Sequence, residues 1–371
     1  MPTLRDLIDV LGHEYSWARA ESWDKVGLQI GDANVPVSRV LVAHEVTTQV
    51  LEEAPGCDAL FVYHPPIFRA LENLDFNRGA TRLLARCIQQ NLPVVAVHTI
   101  LDNARKGRAL GDFLARSLGL ENIEVLKPSG REALWKITVF VPDANLEAVR
   151  DAMWRAGAGT IGNYREASFM ARGTGTWTPQ EGAHPHVGTI GTREERDEWR
   201  LEVIVPNAAR DLVMAAMKNA HPYEEVAHDV VALHNSIEPF GAARMGTPGM
   251  STHVGEWARI VEEKLRAPNV RVVQGNDARA KEMVRKIACV PGSGASYIEA
   301  AARAGCDCLV TGDIKHHDAL LARALGISLI DATHTATERA AIGMIAAALE
   351  SVPDLTVVRS ILDTNPFSRR A

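Results

Sequence analysis

The sequence predicts a mixed α/β fold in which a large, duplicated α/β domain carries a smaller α+β domain inserted into one of its loops. Short apolar runs alternate with helical patterns in the first and last thirds of the chain. The middle third repeats one strand–helix–strand layout. In addition, two segments of the first third have counterparts in the last third.

The alternating segments predict a mainly parallel sheet in each half of the large domain. Strands are predicted at 40–43 (VLVA), 59–62 (ALFV) and 94–97 (VVAV), with a helix over 81–90 between the last two. In the last third, strands are predicted at 287–290, 308–310 and 328–331, followed by a helix near 336–350 and a strand at TVVRS.

The middle third predicts a separate domain. Residues 133–159 form a strand, a Pro-Asp turn and a helix ending in glycine, and residues 199–233 repeat the layout. Two such halves are typical of a ferredoxin-like fold. The predicted domains are therefore the first half of the large domain (1–130), the insert (131–233) and the second half (234–371).

Composition excludes several function classes. The 371 residues carry a formal net charge of −6, which does not favour a nucleic-acid or membrane-surface binder. No apolar run approaches the roughly 18–20 residues that span a bilayer, and the N-terminus lacks a signal-peptide pattern. The five cysteines have no paired spacing, which indicates reduced thiols in a cytoplasmic protein.

An internal sequence repeat places polar side chains at equivalent positions of the two halves. Gly-Cys-Asp precedes an apolar strand at both Gly56 and Gly305, and AVHTILD (96–102) is matched by ATHTATE (332–338). In both matched segments an acid follows a histidine by four residues. A duplication of this kind predicts two half-sheets that face each other across a cleft.

The residues at these strand ends can bind a metal ion. They are imidazoles and carboxylates, the ligand types used for zinc, manganese or iron, and they comprise His64, His98, Asp102, Asp331, His334 and Glu338. Taken singly, a histidine at a strand end is more often structural, and His334 with Glu338 could be a surface pair. The cluster as a whole predicts a site in the cleft for one or two divalent ions.

A glycine-rich turn at 289–305 (CVPGSGASYIEAAARAG) leaves two interpretations open. Free N–H groups near Gly294 and Ala295 would suit a phosphate or carboxylate. Alternatively, the glycines are required for steric reasons alone.

With these motifs in view, the chain resembles the NIF-three-like family of dinuclear-metal proteins, known as GTP cyclohydrolase I type 2 homologues. The stretches that carry the resemblance in the large domain are WDKVGLQIG (23–31), DALFVYHPPIF (58–68), VAVHTILD (95–102), VPGSGASYIEAA (290–301), LVTGDIKHHDAL (309–320) and DATHTATE (331–338). TIGNY (160–164), GTGTW (173–177) and HPYEEVAHDV (221–230) resemble that family's insert, which is related to PII and CutA proteins.

The resemblance implies a toroidal homo-hexamer with a two-metal site in each large domain. It further implies that His64, Asp102 and Glu338 hold one ion, and that Tyr63, His334 and Glu338 hold the other. The sequence departs from the family pattern where Tyr63 replaces a histidine and His44-Glu45 replaces Leu-Asp. A neutral phenol is a poor metal ligand, so His44 is the expected replacement.

Two functions follow as expectations. The first is a metal-dependent hydrolase of a small nucleotide-like or phosphorylated substrate, with Glu45 or His98 as proton acceptor. The alternative is a non-catalytic regulatory or metal-handling hexameric scaffold, whose insert binds a small-molecule ligand.

Overall fold

The computed structural model describes residues 1–162, 164–267, 269–275 and 283–367, so Asn163 of the TIGNY stretch lies outside the described residues. The chain divides into two compact units. One combines Met1–Gly130 with Pro239–Ala371, and the other is Arg131–Glu238. Among the described residues, no helix is both long and apolar enough to cross a bilayer.

The described residues of the larger unit form two sheets. The first has the strand order β1-β4-β3-β2-β15, with β1 at Gly27–Ile30, β2 at Arg39–Ala43, β3 at Ala59–Val62, β4 at Val94–Ala96 and β15 at Thr356–Arg359. The second has the order β11-β14-β13-β12-β10-β5, with β5 at Leu120–Val125, β10 at Arg244–Pro248, β11 at Arg271–Val273, β12 at Ile287–Ser293, β13 at Cys308–Gly312 and β14 at Ser328–Asp331. The predicted α/β class is thereby confirmed.

The register of the parallel strands decides where the functional side chains lie. Ala43 of β2 is opposite Val62 of β3, and Val62 is opposite Ala96 of β4. The three strands therefore end at one edge of the first sheet. In the second sheet β13 and β14 are also parallel, with Thr311 opposite Asp331.

Helices cover both sheets of the larger unit. They are α1 (Leu4–Tyr15), α2 (Thr48–Glu53), α3 (Gly79–Gln89), α4 (Thr99–Asp102), α5 (Leu110–Ser117), α8 (Val254–Leu265), α9 (Ile298–Arg303), α10 (His316–Ala324), α11 (His334–Glu338) and α12 (Ala340–Leu349). The first helix illustrates why they form. Thr3 and Asp6 make a capping box, and Leu4, Leu7 and Leu11 share one face and are buried completely.

Among its described residues, the smaller unit has a four-stranded sheet and two α-helices. In chain order its elements are β6 (Gly130–Pro142), α6 (Leu146–Arg155), β7 (Phe169–Trp177), β8 (Glu194–Pro206), α7 (Arg210–Ala220) and β9 (His228–Phe240). Their order in the sheet, β7-β8-β6-β9, is the ferredoxin-like topology that the sequence predicts. The last strand runs to Phe240, past the predicted end at 233, and it is the neighbour of β6 in the sheet. The narrower likeness to PII and CutA proteins stays a prediction.

Candidate metal centre

The strand ends of the larger unit border a cleft of about 830 Å³. Its walls include side chains that follow the first sheet, namely Tyr63, His64, His98 and Asp102. The opposite wall includes residues at or after the ends of strands of the second sheet, among them Ser293, Tyr297, His334 and Glu338. This position, at the carboxyl ends of parallel strands, is where open α/β sheets commonly bind ligands.

Backbone pairing continues past the strand ends and fixes the first wall. The N–H of His64 donates to the carbonyl of His44 at 2.9 Å, and the N–H of His98 donates to the carbonyl of Tyr63 at 2.9 Å. Residues following three neighbouring strands are therefore held side by side. Two consecutive prolines, Pro65 and Pro66, then end the second of these segments, because proline donates no backbone hydrogen bond.

Glu338 is the centre of the cluster. Its Oε2 lies 3.1 Å from Nε2 of His44, 3.3 Å from Nε2 of His64 and 3.1 Å from Nε2 of His334. The two ring nitrogens of His64 and His334 are 3.4 Å apart. Only 4% of Glu338 is exposed, so these contacts are made in a largely dehydrated environment. Three imidazoles and one carboxylate thus converge on one point.

This arrangement fits a divalent metal ion. The candidate ligand atoms of His44, His64 and Glu338 all lie within 4.8 Å of one another. Ligands about 2.0–2.1 Å from a tetrahedral zinc ion are about 3.3–3.4 Å apart. The 3.1–3.3 Å from Glu338 Oε2 to the ring nitrogens of His44 and His64 match that spacing. Imidazole nitrogens with a carboxylate oxygen suit zinc, manganese or iron.

A further carboxylate orients the His334 ring, whose Nδ1 is 2.7 Å from Asp313. Nδ1 of His64 is 3.9 Å from Glu45, beyond hydrogen-bond distance. Carboxylates that hold the distal nitrogen of a histidine are typical of metal sites, because they fix the tautomer and the direction of the ligating nitrogen. Nδ1 of His44 is buried and makes no hydrogen bond among the described residues.

The charges of the cluster reinforce one another. Burial by itself lowers the pKa of His64, but the neighbouring carboxylates of Glu338 and Glu45 reverse this and raise the pKa to about 10. Burial likewise lowers the pKa of His334, and Glu338 with Asp313 raises it to about 9. Burial raises the pKa of Glu338. Its three imidazole partners lower this pKa by more than burial raises it, so the pKa lies well below the usual value. Glu338 is therefore ionised, and a metal ion would displace protons from the two rings.

Tyr63 and Asp102 form a pair of their own. The Tyr63 hydroxyl donates to both carboxylate oxygens of Asp102, at 3.0 and 3.1 Å. The phenol ring stacks on His44, with 5.5 Å between centroids and 19° between planes. Burial, with help from Asp102 and Glu338, raises the pKa of Tyr63 well above its usual value. The phenol is thus neutral and supports His44 rather than offering an anionic oxygen to a metal ion.

The six predicted ligands therefore fall into two groups. The structure brings His44, His64, His334 and Glu338 together, whereas Tyr63 binds Asp102. Burial raises the pKa of Asp102 to about 7, and the Tyr63 hydrogen bond opposes that rise. The His44 ring lies against Glu338, and its replacement of Tyr63 as a metal ligand stays a prediction.

Asp24 is a functional candidate that the sequence reasoning passed over. Its carboxylate is 2.7 Å from Nδ1 of His98 and accepts the backbone N–H of Thr99 at 3.1 Å. It also accepts the Thr99 hydroxyl. Although Asp24 falls within WDKVGLQIG, it lies in a loop with no periodicity that would indicate a partner 74 residues away.

The glycine-rich turn has a steric role. Gly292 has a φ of +62°, and a Cβ atom there would clash with the Glu338 carboxylate. A Cβ atom at Gly294 would clash with Thr311. The helix that follows this turn, α9, has only six residues. The turn thus allows the backbone of β12 to approach the metal cluster closely.

The chain is similar to known proteins over nearly its whole length. The sequence profile of the Duf34/NIF3 (NGG1p interacting factor 3) family matches residues 2–366. A protein of Halalkalibacterium halodurans named GTP cyclohydrolase 1 type 2 homolog is 38% identical over 355 residues, which cover 93% of each chain. The protein of the same name from Bacillus subtilis is 37% identical and covers 95% of this chain and 94% of its own.

Solved structures give the same result. A Bacillus cereus protein related to NIF3 is 36% identical, with a TM-score of 0.85 over 100% of this chain and 99% of the other. The Staphylococcus aureus protein SA1388 is 28% identical, with a TM-score of 0.70 over the same shares of the two chains.

Proposed function

The chain belongs to the Duf34/NIF3 family, and from that premise we propose that it is a metal-dependent hydrolase of a small nucleotide-like or phosphorylated substrate. The observation that carries the proposal is the position of Glu338 Oε2, 3.1–3.3 Å from three imidazole nitrogens beside an open cleft. His44, His64 and Glu338 would hold the ion, and His334 lies beside them against Glu338. A bound divalent ion supplies Lewis acidity toward a carbonyl or phosphoryl oxygen and toward water.

His98 is the proposed proton acceptor. If its Nδ1–H donates to Asp24, the lone pair of Nε2 is free to accept a proton from a water molecule or a substrate group. The His98 ring lines the cleft, with its centroid 5.4 Å from that of His64. Asp24 would act as a positioning residue that fixes the tautomer and the ring direction. Glu45 is the less suitable base, because it already faces the His44 and His64 rings.

The other wall supports a nucleotide-like or phosphorylated substrate. Lys127 is the one Lys or Arg among the described residues that line the cleft, and its ammonium group lies 5.7 Å from the centre of the Tyr297 ring. It is exposed and therefore available to an anionic group. Trp23 and Phe68 add an exposed aromatic rim, with 6.0 Å between ring centroids. Aromatic faces of this kind stack with nucleobases.

The test uses full-length protein reconstituted with zinc or manganese and a panel of GTP and other phosphoesters. We expect turnover in the wild type and loss of both metal and turnover in His64→Ala. His98→Gln should lower kcat about 100-fold or more while metal content is unchanged. His317→Gln, a change at an exposed histidine in α10, is the matched control.

Asp24→Asn tests the positioning role. It should lower kcat with little change in KM and shift the pH profile of the base, because the tautomer of His98 is no longer fixed. Absence of hydrolysis in metal-loaded wild type, or equal hydrolysis in His64→Ala, would contradict the enzymatic proposal.

A second candidate function is a metal-handling or regulatory scaffold. The observation in its favour is the Tyr63–Asp102 pair, which engages a carboxylate that the family resemblance assigns to a metal ion. A site that holds one ion lacks the second ion that two-metal catalysis uses, so it would be a weaker catalyst. Stoichiometric metal binding without turnover of any panel member would favour the scaffold.

Three further expectations stay predictions. They are the homo-hexamer, the cytoplasmic location, and the choice among zinc, manganese and iron with one or two ions per chain. Sedimentation velocity of full-length protein checks the first, and elemental analysis of protein purified without added metal checks the last.

A further inference from the structure

Two sequence stretches of the insert take no part in the metal centre, and both line a single cavity. GTGTW (173–177) belongs to β7, and HPYEE (221–225) follows α7. Together with part of β8 and the loop after β7, they enclose about 830 Å³ within the unit Arg131–Glu238. That volume lies within the range of about 300–1,000 Å³ that is usual for small-molecule sites.

A buried carboxylate faces this cavity. Glu198 of β8 is only 8% exposed, and its Oε1 accepts the Tyr223 hydroxyl at 2.9 Å. Its other oxygen lies against Gly175, where a Cβ atom would clash with it. In the part of the chain that the structure describes, Glu198 has no cationic partner. A carboxylate removed from water without a cation is costly unless something supplies one.

Aromatic rings form the wall next to Glu198. The centroid of the Tyr223 ring is 5.8 Å from that of Trp177 and 6.1 Å from that of His186. His221 fixes this wall, because its Nδ1 accepts the backbone N–H of Tyr223 at 3.1 Å and its Nε2 contacts the Phe140 carbonyl at 2.9 Å. Ring faces beside a carboxylate are the elements that recognise organic cations.

The remaining charges of the cavity also favour a cation. Arg172 lies 3.5 Å from Asp143, and Arg200 lies 2.7 Å from Glu202, so both arginines already have acidic partners. Glu224 adds a second carboxylate, whose Oε1 accepts a backbone N–H.

A metal ion is a poorer candidate than an organic cation. Within the described residues, the one group of histidines and acids close enough to hold a metal is His44, His64 and Glu338 of the other unit. We propose that the insert cavity binds a small organic cation, with its ammonium group at Glu198 and its apolar or aromatic body against Trp177 and Tyr223. This proposal does not depend on the reaction proposed for the metal cleft.

The experiment measures binding of three matched probes to the full-length protein by calorimetry. Phenethylammonium carries the proposed charge, 2-phenylethanol is its neutral counterpart, and 3-phenylpropionate carries the opposite charge. We expect saturable binding of phenethylammonium at one site per chain. The alcohol should bind at least about tenfold more weakly, because it lacks the charge-assisted hydrogen bond. The carboxylate should not bind.

Variants locate the site. Glu198→Gln keeps the side-chain shape and should abolish the preference for the ammonium over the alcohol, whereas Glu195→Gln, a change at an exposed glutamate of β8 that does not line the cavity, should retain it. Trp177→Leu keeps an apolar side chain but removes a ring face, so it should weaken binding of the ammonium more than binding of the alcohol. It provides an independent test should Glu198→Gln fail to fold.

Three results would overturn the proposal. One is equal affinity for ammonium and alcohol in the wild type. A second is undiminished preference in a folded Glu198→Gln variant. The third is absence of probe binding together with self-association that Trp177→Leu disrupts, which would mean that a second copy of the chain covers the cavity.

Discussion

The two halves of the larger unit carry the same His-x-x-x-acid spacing but use it differently. In the first half, His98 binds Asp24 and Asp102 accepts a hydrogen bond from Tyr63. In the second half, Glu338 lies against three imidazoles, one of them His334. The same spacing thus gives a hydrogen-bonded wall on one side and a candidate metal cluster on the other. The His-x-x-x-acid spacing alone does not specify which residues bind a metal ion, because that depends on the side chains that follow neighbouring strands.

The largest expected effect comes from the acid of the second half. Glu338→Gln removes the anion on which the three imidazoles converge, so purified protein should contain almost no metal. Asp102→Asn, the matching change in the first half, should leave most of the metal in place. Elemental analysis of both variants checks the contrast. Equal metal content in Glu338→Gln and wild type would refute the ligand assignment.

Tyr63→His should make the first half more like the family pattern. The change removes the phenol from Asp102 and supplies an imidazole in its place. Metal content should rise from about one ion per chain toward two, measured by titration followed by elemental analysis. If wild type already binds two ions tightly and His44→Ala leaves both in place, the single-ion arrangement is wrong.

Gly292→Ala tests the close approach of the backbone to the cluster. The new Cβ would collide with Glu338, so metal affinity should fall by about tenfold or more. Gly56→Ala is the matched control, since Gly56 also has a positive φ but no neighbour within 4 Å. Both changes cost roughly 1–2 kcal/mol of backbone strain. A metal affinity equal in the two variants would mean that Gly292 serves only the turn.

The smallest expected effect is the pH dependence of the metal-free protein. The folded-state pKa values of His64 (about 10) and His334 (about 9) lie above the ordinary value of 6.5. Their contribution to stability is therefore fully present below about pH 6.5 and is lost as the pH rises to about 10. The Tm of chelator-treated wild type should fall by a few degrees across this window. The decline should be smaller in Glu338→Gln, and an identical decline would exclude the cluster as its source.

Metal binding should show the opposite trend. Because an ion displaces protons from the same two rings, its affinity should increase between pH 6 and 9. Competition with a chelator of known pH dependence measures this change.

Much of the fold was determined by the sequence itself. Hydrophobic periodicity identified the strands that end just before His44, Tyr63 and His98, and the repeated layout of the middle third predicted the ferredoxin-like insert. These features are local, since a strand of four or five apolar residues and its last residue can be read without knowing any distant contact. The candidate edge of the sheet follows directly from them.

Which side chains contact one another could not be predicted from the sequence and is seen only in the tertiary structure. A strand pattern places a residue at the edge of the sheet but does not fix the direction of its side chain, which depends on partners far along the chain. Glu338 meets His44 across 294 residues, Tyr63 binds Asp102 across 39, and Asp24 reaches His98 from a loop without periodicity. The buried Glu198 and its aromatic wall likewise arise only where β8 packs beside Trp177 and Tyr223. Whether a residue after a strand only lines the cleft or can bind a metal ion thus depends on hydrogen bonding and burial between distant segments, rather than on local propensity.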